Sequence, residues 1–135
     1  MLTIDITGLK HVEENLGAEK FLRAISTGMD SAGNLAVGDV QARRLTHRGP
    51  HSLGIKSERL RNSLTHTKPT IQGRTVFTLV GSNVTNRGVS YPAVHEYGTR
   101  DKRLPARQWL SRGLTDASHF FTSEIEKELL EEMNK

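Results

Sequence analysis

The 135-residue sequence contains no cysteine, the first of several features that it lacks or has in short supply. Without cysteine the chain can form no disulfide and can supply no thiolate to a metal or a substrate. Aromatic residues make up only 5% of the sequence and hydrophobic residues 35%. This apolar content is low for a monomer that buries its whole core by itself, so it favours burial against a partner, including a second copy.

Long hydrophobic runs are also missing. No window approaches the length of a membrane-spanning helix, and the first residues lack the basic region and apolar stretch of a signal peptide. We therefore expect no membrane partner and no secretion by this route, and we expect synthesis in the cytosol. The length matches one domain, residues 1–135.

Acidic residues are scarce in the middle of the chain. Between residues 43 and 107 there are thirteen Lys or Arg against three acidic residues, a formal charge of +10, whereas the segment from residue 124 onward has five Glu and two Lys. A basic middle could contact nucleic-acid phosphates. The stronger interpretation is that it pairs with the acidic end, within one subunit or between subunits.

The first half of the chain predicts one short strand and one long helix. Residues 1–16 begin with a period-2 alternation of Leu2, Ile4 and Ile6 with polar residues, which is typical of a half-buried edge strand. A 3.6-residue apolar period predicts a helix over residues 18–46. Three glycines interrupt this helix, which indicates close packing, a bend, or a hinge that moves on assembly. They are Gly28, Gly33 and Gly38.

Residues 47–56 contain two Gly and one Pro and follow neither period, so we expect a mobile loop that becomes ordered in an assembly. His47 and His51 have the spacing of a helical metal pair, but Gly49 and Pro50 between them exclude a helix there, and we expect no metal.

The region from residue 57 to residue 90 predicts a short helix, a hairpin and a loop. Ser57 can cap a helix that runs to about residue 61. Residues 64–71 and 75–81 are rich in β-branched side chains and read as an antiparallel hairpin with Gly73 in its turn. Pro69 limits the first strand to an edge or a bulge. We expect residues 83–90 to form a loop.

The C-terminal third predicts a helix, a basic link and a second helix. Proline in the first turn and Gly98 at the end bound a helix over Tyr91–Tyr97, and we expect Gly98 in the left-handed helical conformation that closes a helix. The charged residues Thr99–Leu104 should form an extended link. Pro105 then begins a helix that continues to the end of the chain. We expect Trp109 and Leu110 to be buried between this last helix and the sheet. The expected fold class is α+β, with a long N-terminal helix and a C-terminal helix packed on a small, mostly antiparallel sheet.

Catalytic chemistry finds little support in the residue pattern. His95 and Glu96 are adjacent, so on a helix they point about 100° apart and are poorly placed to serve one substrate. We expect a structural role for His95, and we expect Glu96 to accept hydrogen bonds or to pair with Arg100 or Arg107. Neither nucleotide-binding glycine motif is present. We predict no catalytic, cofactor-binding or metal-binding residue.

The block from Tyr91 to Leu110 resembles the tail-completion or neck proteins of long-tailed phages, and it is similar to the virion-morphogenesis proteins of Mu-like phages. Residues 57–63 resemble the Leu-Arg-x-Ser segment that precedes the sheet in those families. Gln108 and Trp109 stand where a Pro-Phe pair is commoner. The resemblance covers roughly the C-terminal half and does not reach residues 1–50. The residues that carry it are Tyr91, Ala93, Glu96, Tyr97, Gly98, Thr99, Pro105, Ala106, Arg107, Trp109 and Leu110.

The resemblance implies a structural protein and not an enzyme: one subunit of a ring, of six copies, that completes the tail and joins it to the head. Its partners would be further copies, the head-closure or connector protein and the tail-tube protein, with DNA passing nearby but not bound specifically. It would lie in the host cytoplasm during assembly and then in the virion neck. The alternative is a small basic nucleic-acid-binding module. The interface candidates are Tyr91, Glu96, Tyr97, Gly98, Thr99, Arg100, Lys102, Arg103, Pro105, Arg107 and Trp109.

Charge placement adds one expectation about self-association. Arg100, Lys102 and Arg103 should meet an acidic stripe on the last helix of a neighbouring copy. Four glutamates recur there at intervals of three and four, which would place them on one helical face. They are Glu124, Glu128, Glu131 and Glu132.

Overall fold

The computed structural model describes residue 3 and residues 9–46, 48–49, 51–53, 58–86 and 88–135. Within these residues the chain forms six helices and eight short strands, and its fold class is α+β as predicted. The helices are α1 (Lys10–Leu16), α2 (Ala18–Arg44), α3 (Glu58–Ser63), α4 (Tyr91–Tyr97), α5 (Trp109–Asp116) and α6 (Ser118–Met133). The strands are β1 (Arg48–Gly49), β2 (Ser52–Leu53), β3 (Thr65–His66), β4 (Thr70–Gln72), β5 (Thr75–Phe77), β6 (Val80–Gly81), β7 (Thr85–Asn86) and β8 (Val89–Ser90).

Helix α2 contributes residues to three apolar clusters, which follow one another along its length. Near its start, Phe21 and Ala24 pack against the last turns of α6. In its middle, Ala32 and Ala36 pack against the start of α6 and the residue before it. At its end, Val40 belongs to a cluster that α3 and α5 complete. Because α6 meets α2 in reverse order, the two helices are antiparallel.

Two of the three glycines in α2 lie where another segment approaches closely. A Cβ atom on Gly28 would lie 2.7 Å from the Cα of Ile125, and a Cβ on Gly33 would lie 2.7 Å from Nδ1 of His66. Close packing therefore accounts for Gly28 and Gly33. At Gly38 no atom of the described residues lies within 4 Å of the corresponding position, so packing among them does not account for this glycine.

The predicted hairpin is present and contains a bulge at the predicted proline. Strands β4 and β5 pair antiparallel around a two-residue turn, in which Gly73 has φ +60° at the first central position. Farther from the turn, β3 pairs with β6. Between these two ladders the three residues 67–69 oppose the two residues 78–79, so one extra residue interrupts the pairing at Pro69.

Other predictions for the loops and the N-terminus need correction. Residues 83–90, predicted to form a loop, contain the paired strands β7 and β8. In the predicted irregular segment 47–56, β1 pairs with β2, while residues 47, 50 and 54–56 lie outside the described residues. The predicted N-terminal strand also lies outside them, apart from Thr3, and helix α1 was not predicted. Its apolar residues pack against the Phe21 cluster.

The predicted C-terminal helix is in fact two helices, α5 and α6, separated at Ala117. The N–H of Ala117 donates to Gly113, and Ala117 itself is fully buried in the cluster around Ala32. Among the described residues, none of the helices combines the length and the apolar composition that a membrane crossing needs.

Candidate interaction surface

The site is built on the end of α4, where Gly98 turns the chain back. Its N–H donates to the carbonyl of Val94 at 2.7 Å and closes the helix at the predicted residue. The conformation differs from the left-handed helical one that we predicted, because φ is +77° but ψ is −179°. A Cβ at this position would lie 2.7 Å from the nitrogen of Ala106 and 2.9 Å from the oxygen of Leu104. Both the dihedral angles and this approach require glycine.

Residues 97–104, which we name the Tyr97 loop, form a compact turn and not the extended link that was predicted. The hydroxyl of Thr99 donates to Oδ1 of Asp101 at 2.7 Å and accepts from the N–H of Leu104 at 3.0 Å. The same carboxylate oxygen accepts from the N–H of Arg103 at 3.1 Å. The backbone N–H and C=O of Thr99 also bond within the loop, to Leu104 and Lys102 respectively. Short polar side chains favour such local bonds, which compete with an extended backbone.

These hydrogen bonds affect the ionisation of Asp101. The hydroxyl of Thr99 and the N–H of Arg103 stabilise the charged form, so they lower the pKa of Asp101 below its usual value. The guanidinium of Arg103 also lies 3.3 Å from this carboxylate. The only acidic side chain of the Tyr97 loop is thus engaged within the loop itself.

Glu96 holds the next helix in place. It is only 8% exposed. Its carboxylate accepts the N–H of Leu110 at 2.8 Å and the N–H of Ser111 at 3.1 Å, two of the unpaired donors at the start of α5. The negative charge also lies at the positive end of the helix. The prediction that Glu96 accepts hydrogen bonds is confirmed. Its neighbour His95 is likewise buried.

Helix α5 begins at Trp109 and not at the predicted Pro105. The N–H groups of Arg107 and Gln108 donate to the last carbonyls of α4, those of His95 and Glu96, at 2.9 and 3.2 Å. Residues 105–108 therefore run along the end of α4. Gln108, with φ +49° and ψ +39°, makes the turn into α5.

Trp109 joins the motif to the core, and the prediction that it is buried is confirmed, whereas Leu110, for which we also predicted burial, is half-buried. The Trp109 side chain is fully buried, and its Nε1 donates to the carbonyl of Pro92 at 3.2 Å. The surroundings differ from those predicted, because Val40 and Leu45 at the end of α2 and two leucines around α3 contribute most of the cluster, with Val80 of β6 packed against it.

The predicted interface residues thus divide into two groups. Glu96, Gly98, Thr99 and Trp109 make contacts inside the fold, and Arg107 is half-buried. Tyr97 is 79% exposed, and Leu104, which the sequence did not single out, is 43% exposed. Only the backbone of Tyr91 is described. The remaining candidates face solvent around Tyr97; they are Arg100, Lys102, Arg103 and Pro105.

The four glutamates of the predicted acidic stripe all lie on α6, but they are unequally exposed. Glu131 is exposed, whereas Glu124, Glu128 and Glu132 are half-buried, and Glu132 pairs with Lys135 at 3.1 Å. An exposed groove on this helix is lined by Leu130, which is 59% exposed, and by two glutamates and two lysines, Glu126, Glu131, Lys127 and Lys135. We name Glu126, Leu130, Glu131 and Met133 the α6 end.

The sequence did carry a signal for the α6 end. The apolar residues Phe121, Ile125 and Leu129 recur at intervals of four and define the buried row of α6. Leu130 falls outside that row, so it can be recognised as an exposed leucine once the row is assigned.

No protein-family model, no curated protein and no solved structure matches this chain. In the part of the chain that the structure describes, no three His, Cys, Asp or Glu side chains are grouped as a metal site would require.

Proposed function

We propose that this chain is a structural subunit of a phage or prophage virion, and that copies of it form a ring that completes the tail and joins it to the head. One observation carries the proposal. Hydrogen bonds within residues 99–104 hold the Tyr97 loop as a compact turn, and buried Trp109 joins its block to the core. That turn exposes an aromatic ring and three cationic side chains, of which only Arg103 forms an ion pair within the loop. A surface fixed in this way is typical of recognition.

The physical argument concerns the energetics of association. A loop that is already ordered loses little conformational entropy when it binds, so more of the contact energy remains as affinity. Five hydrogen bonds hold residues 99–104 in the free chain. Tyrosine and arginine are also the residue types most enriched among the dominant contacts of interfaces. Exposed Tyr97 with its basic neighbours fits that pattern.

The resemblance of the same block to tail-completion proteins supplies the biological context. In this proposal the chain assembles in the host cytoplasm, binds the head-closure or connector protein and the tail-tube protein, and remains in the virion neck. DNA passes through the ring without a sequence-specific contact. The basic surface favours this passage in a non-specific way, since cationic side chains interact with phosphates independently of sequence.

The proposal is tested on particles produced by the genome that encodes the chain. Gold-labelled antibody against the chain should mark the junction of head and tail in electron micrographs, and deletion of its gene should leave heads and tails unjoined. The deletion complemented with the unchanged gene is the control. Joined particles in the deletion strain, or particles that lack the chain, would contradict the proposal.

A nucleic-acid-binding module remains the second candidate because of the +10 charge between residues 43 and 107. It predicts that the isolated chain binds duplex DNA as a monomer and that the affinity falls steeply between low and moderate salt. The assembly proposal predicts self-association that does not require DNA. Fluorescence anisotropy with labelled duplex DNA at two salt concentrations distinguishes the two candidates.

A further inference from the structure

The Tyr97 loop and the α6 end lie at opposite ends of helix α2. The loop is anchored through Trp109, which packs against Val40 near the end of α2. The α6 end follows Leu129, which packs against Phe21 near the start of α2. At a rise of about 1.5 Å per residue, roughly 28 Å of helix axis separates these two contact points. The two surfaces are therefore too far apart to touch within one molecule.

Their chemistry is nevertheless complementary. The Tyr97 loop exposes Tyr97 and Leu104 among cations. The α6 end exposes Leu130 and Met133. Glu126 and Glu131 line the groove at Leu130, together with Lys127 and Lys135. From residue 124 onward five Glu against two Lys leave a formal charge of −3, and one of those lysines, Lys135, is paired with Glu132. Each surface thus offers apolar side chains beside charged ones. The net charge is positive in the Tyr97 loop, which has three cations and Asp101, and negative from residue 124 onward.

We propose that the Tyr97 loop of one copy docks on the α6 end of a second copy; this contact rests on the proposed function, because it supplies the ring's repeated interface. Tyr97 and Leu104 lie against Leu130 and Met133 and lose water, while the surrounding charges fix the orientation. The contact uses a different surface on each of the two copies. One copy therefore still has a free α6 end and the other a free Tyr97 loop, to which further copies can bind. A head-to-tail contact of this kind closes into a ring or extends as a filament.

The test reverses the charge on each surface and then combines the two changes. One variant carries Lys102→Glu and Arg103→Glu, and the other carries Glu126→Lys and Glu131→Lys. All four side chains are exposed, so both variants should fold, which circular dichroism checks. Sedimentation velocity at low salt is run on the unchanged chain, on each variant alone and on an equimolar mixture of the variants. The control reverses two exposed lysines elsewhere, with Lys20→Glu and Lys68→Glu.

Each reversal alone should weaken association by about tenfold, because two attractive pairs become repulsive. The mixture should recover association, since every contact between the two variants then joins opposite charges. The control should associate like the unchanged chain. Association of both variants at the unchanged strength, or a mixture that fails to recover, would overturn this contact while leaving assembly through another surface intact. A monomeric unchanged chain would overturn the proposed function and this contact together.

Discussion

Two glycines of helix α2 should respond to alanine substitution in opposite directions. In Gly28→Ala the new methyl would lie 2.7 Å from Cα of Ile125 and 2.9 Å from the carbonyl oxygen of Glu124. Both are backbone atoms, so α6 must move away from α2. Overpacking of this kind costs about 1–3 kcal/mol, and the better helix propensity of alanine offsets about 1 kcal/mol. In Gly38→Ala the methyl meets no atom of the described residues within 4 Å, so the gain in propensity of about 1 kcal/mol remains.

The free energy of unfolding should therefore differ between the two variants by about 1–3 kcal/mol, with Gly38→Ala above the unchanged chain and above Gly28→Ala. Urea titrations followed by helical circular dichroism measure this difference, and the slope of the transition shows whether the unfolded states are comparable. Equal stability of the two variants would mean that α2 and α6 do not approach closely at Gly28, and the hinge interpretation of the glycines would regain support.

Three further predictions concern the Tyr91–Leu110 block. Trp109→Ala should lower the free energy of unfolding by about 3–5 kcal/mol, because the side chain is fully buried; an unmoved urea midpoint would refute this. Glu96→Ala should cost about 2–4 kcal/mol, since two part-buried N–H donors of α5 lose their charged acceptor. A stability close to that of the unchanged chain would show that water replaces the carboxylate. The pKa of Asp101 is lowered in the folded chain, so its stabilising effect is complete above the ordinary aspartate pKa and is lost as the pH falls through the folded value. The protection of the Tyr97 loop amides, which is their intrinsic exchange rate divided by the observed rate, should therefore fall on acidification in the unchanged chain and less so in Asp101→Asn. Parallel pH profiles of protection in the two proteins would contradict the assignment.

The elements that were predicted correctly are those whose signals are local. Helix α4 has the predicted bounds because a proline in its first turn and Gly98 after its last residue determine where it begins and ends. The hairpin around Gly73 and its bulge at Pro69 follow from the same kind of local constraint. Helix α2 ends within two residues of its predicted end, because its apolar period continues to that point.

The errors arise where contacts distant in sequence decide the conformation. Pro105 could begin a helix, but the N–H groups that follow it bond to carbonyls of α4, so α5 starts at Trp109. The spacing of the C-terminal glutamates defined a stripe correctly, but only the packing of α6 on α2 shows that most of this stripe is half-buried. The exposure of Glu126 was not predicted, because it too depends on how α6 packs on α2.

The association state of the unchanged chain tests the central claim most directly. The mass of one copy is 15.0 kDa. Native mass spectrometry and sedimentation equilibrium over a range of concentrations should show a closed species of several copies, and Tyr97→Ser should shift the population toward single copies without lowering the urea midpoint, because Tyr97 is exposed. A mass of one copy at every concentration, for the unchanged chain, would contradict the account.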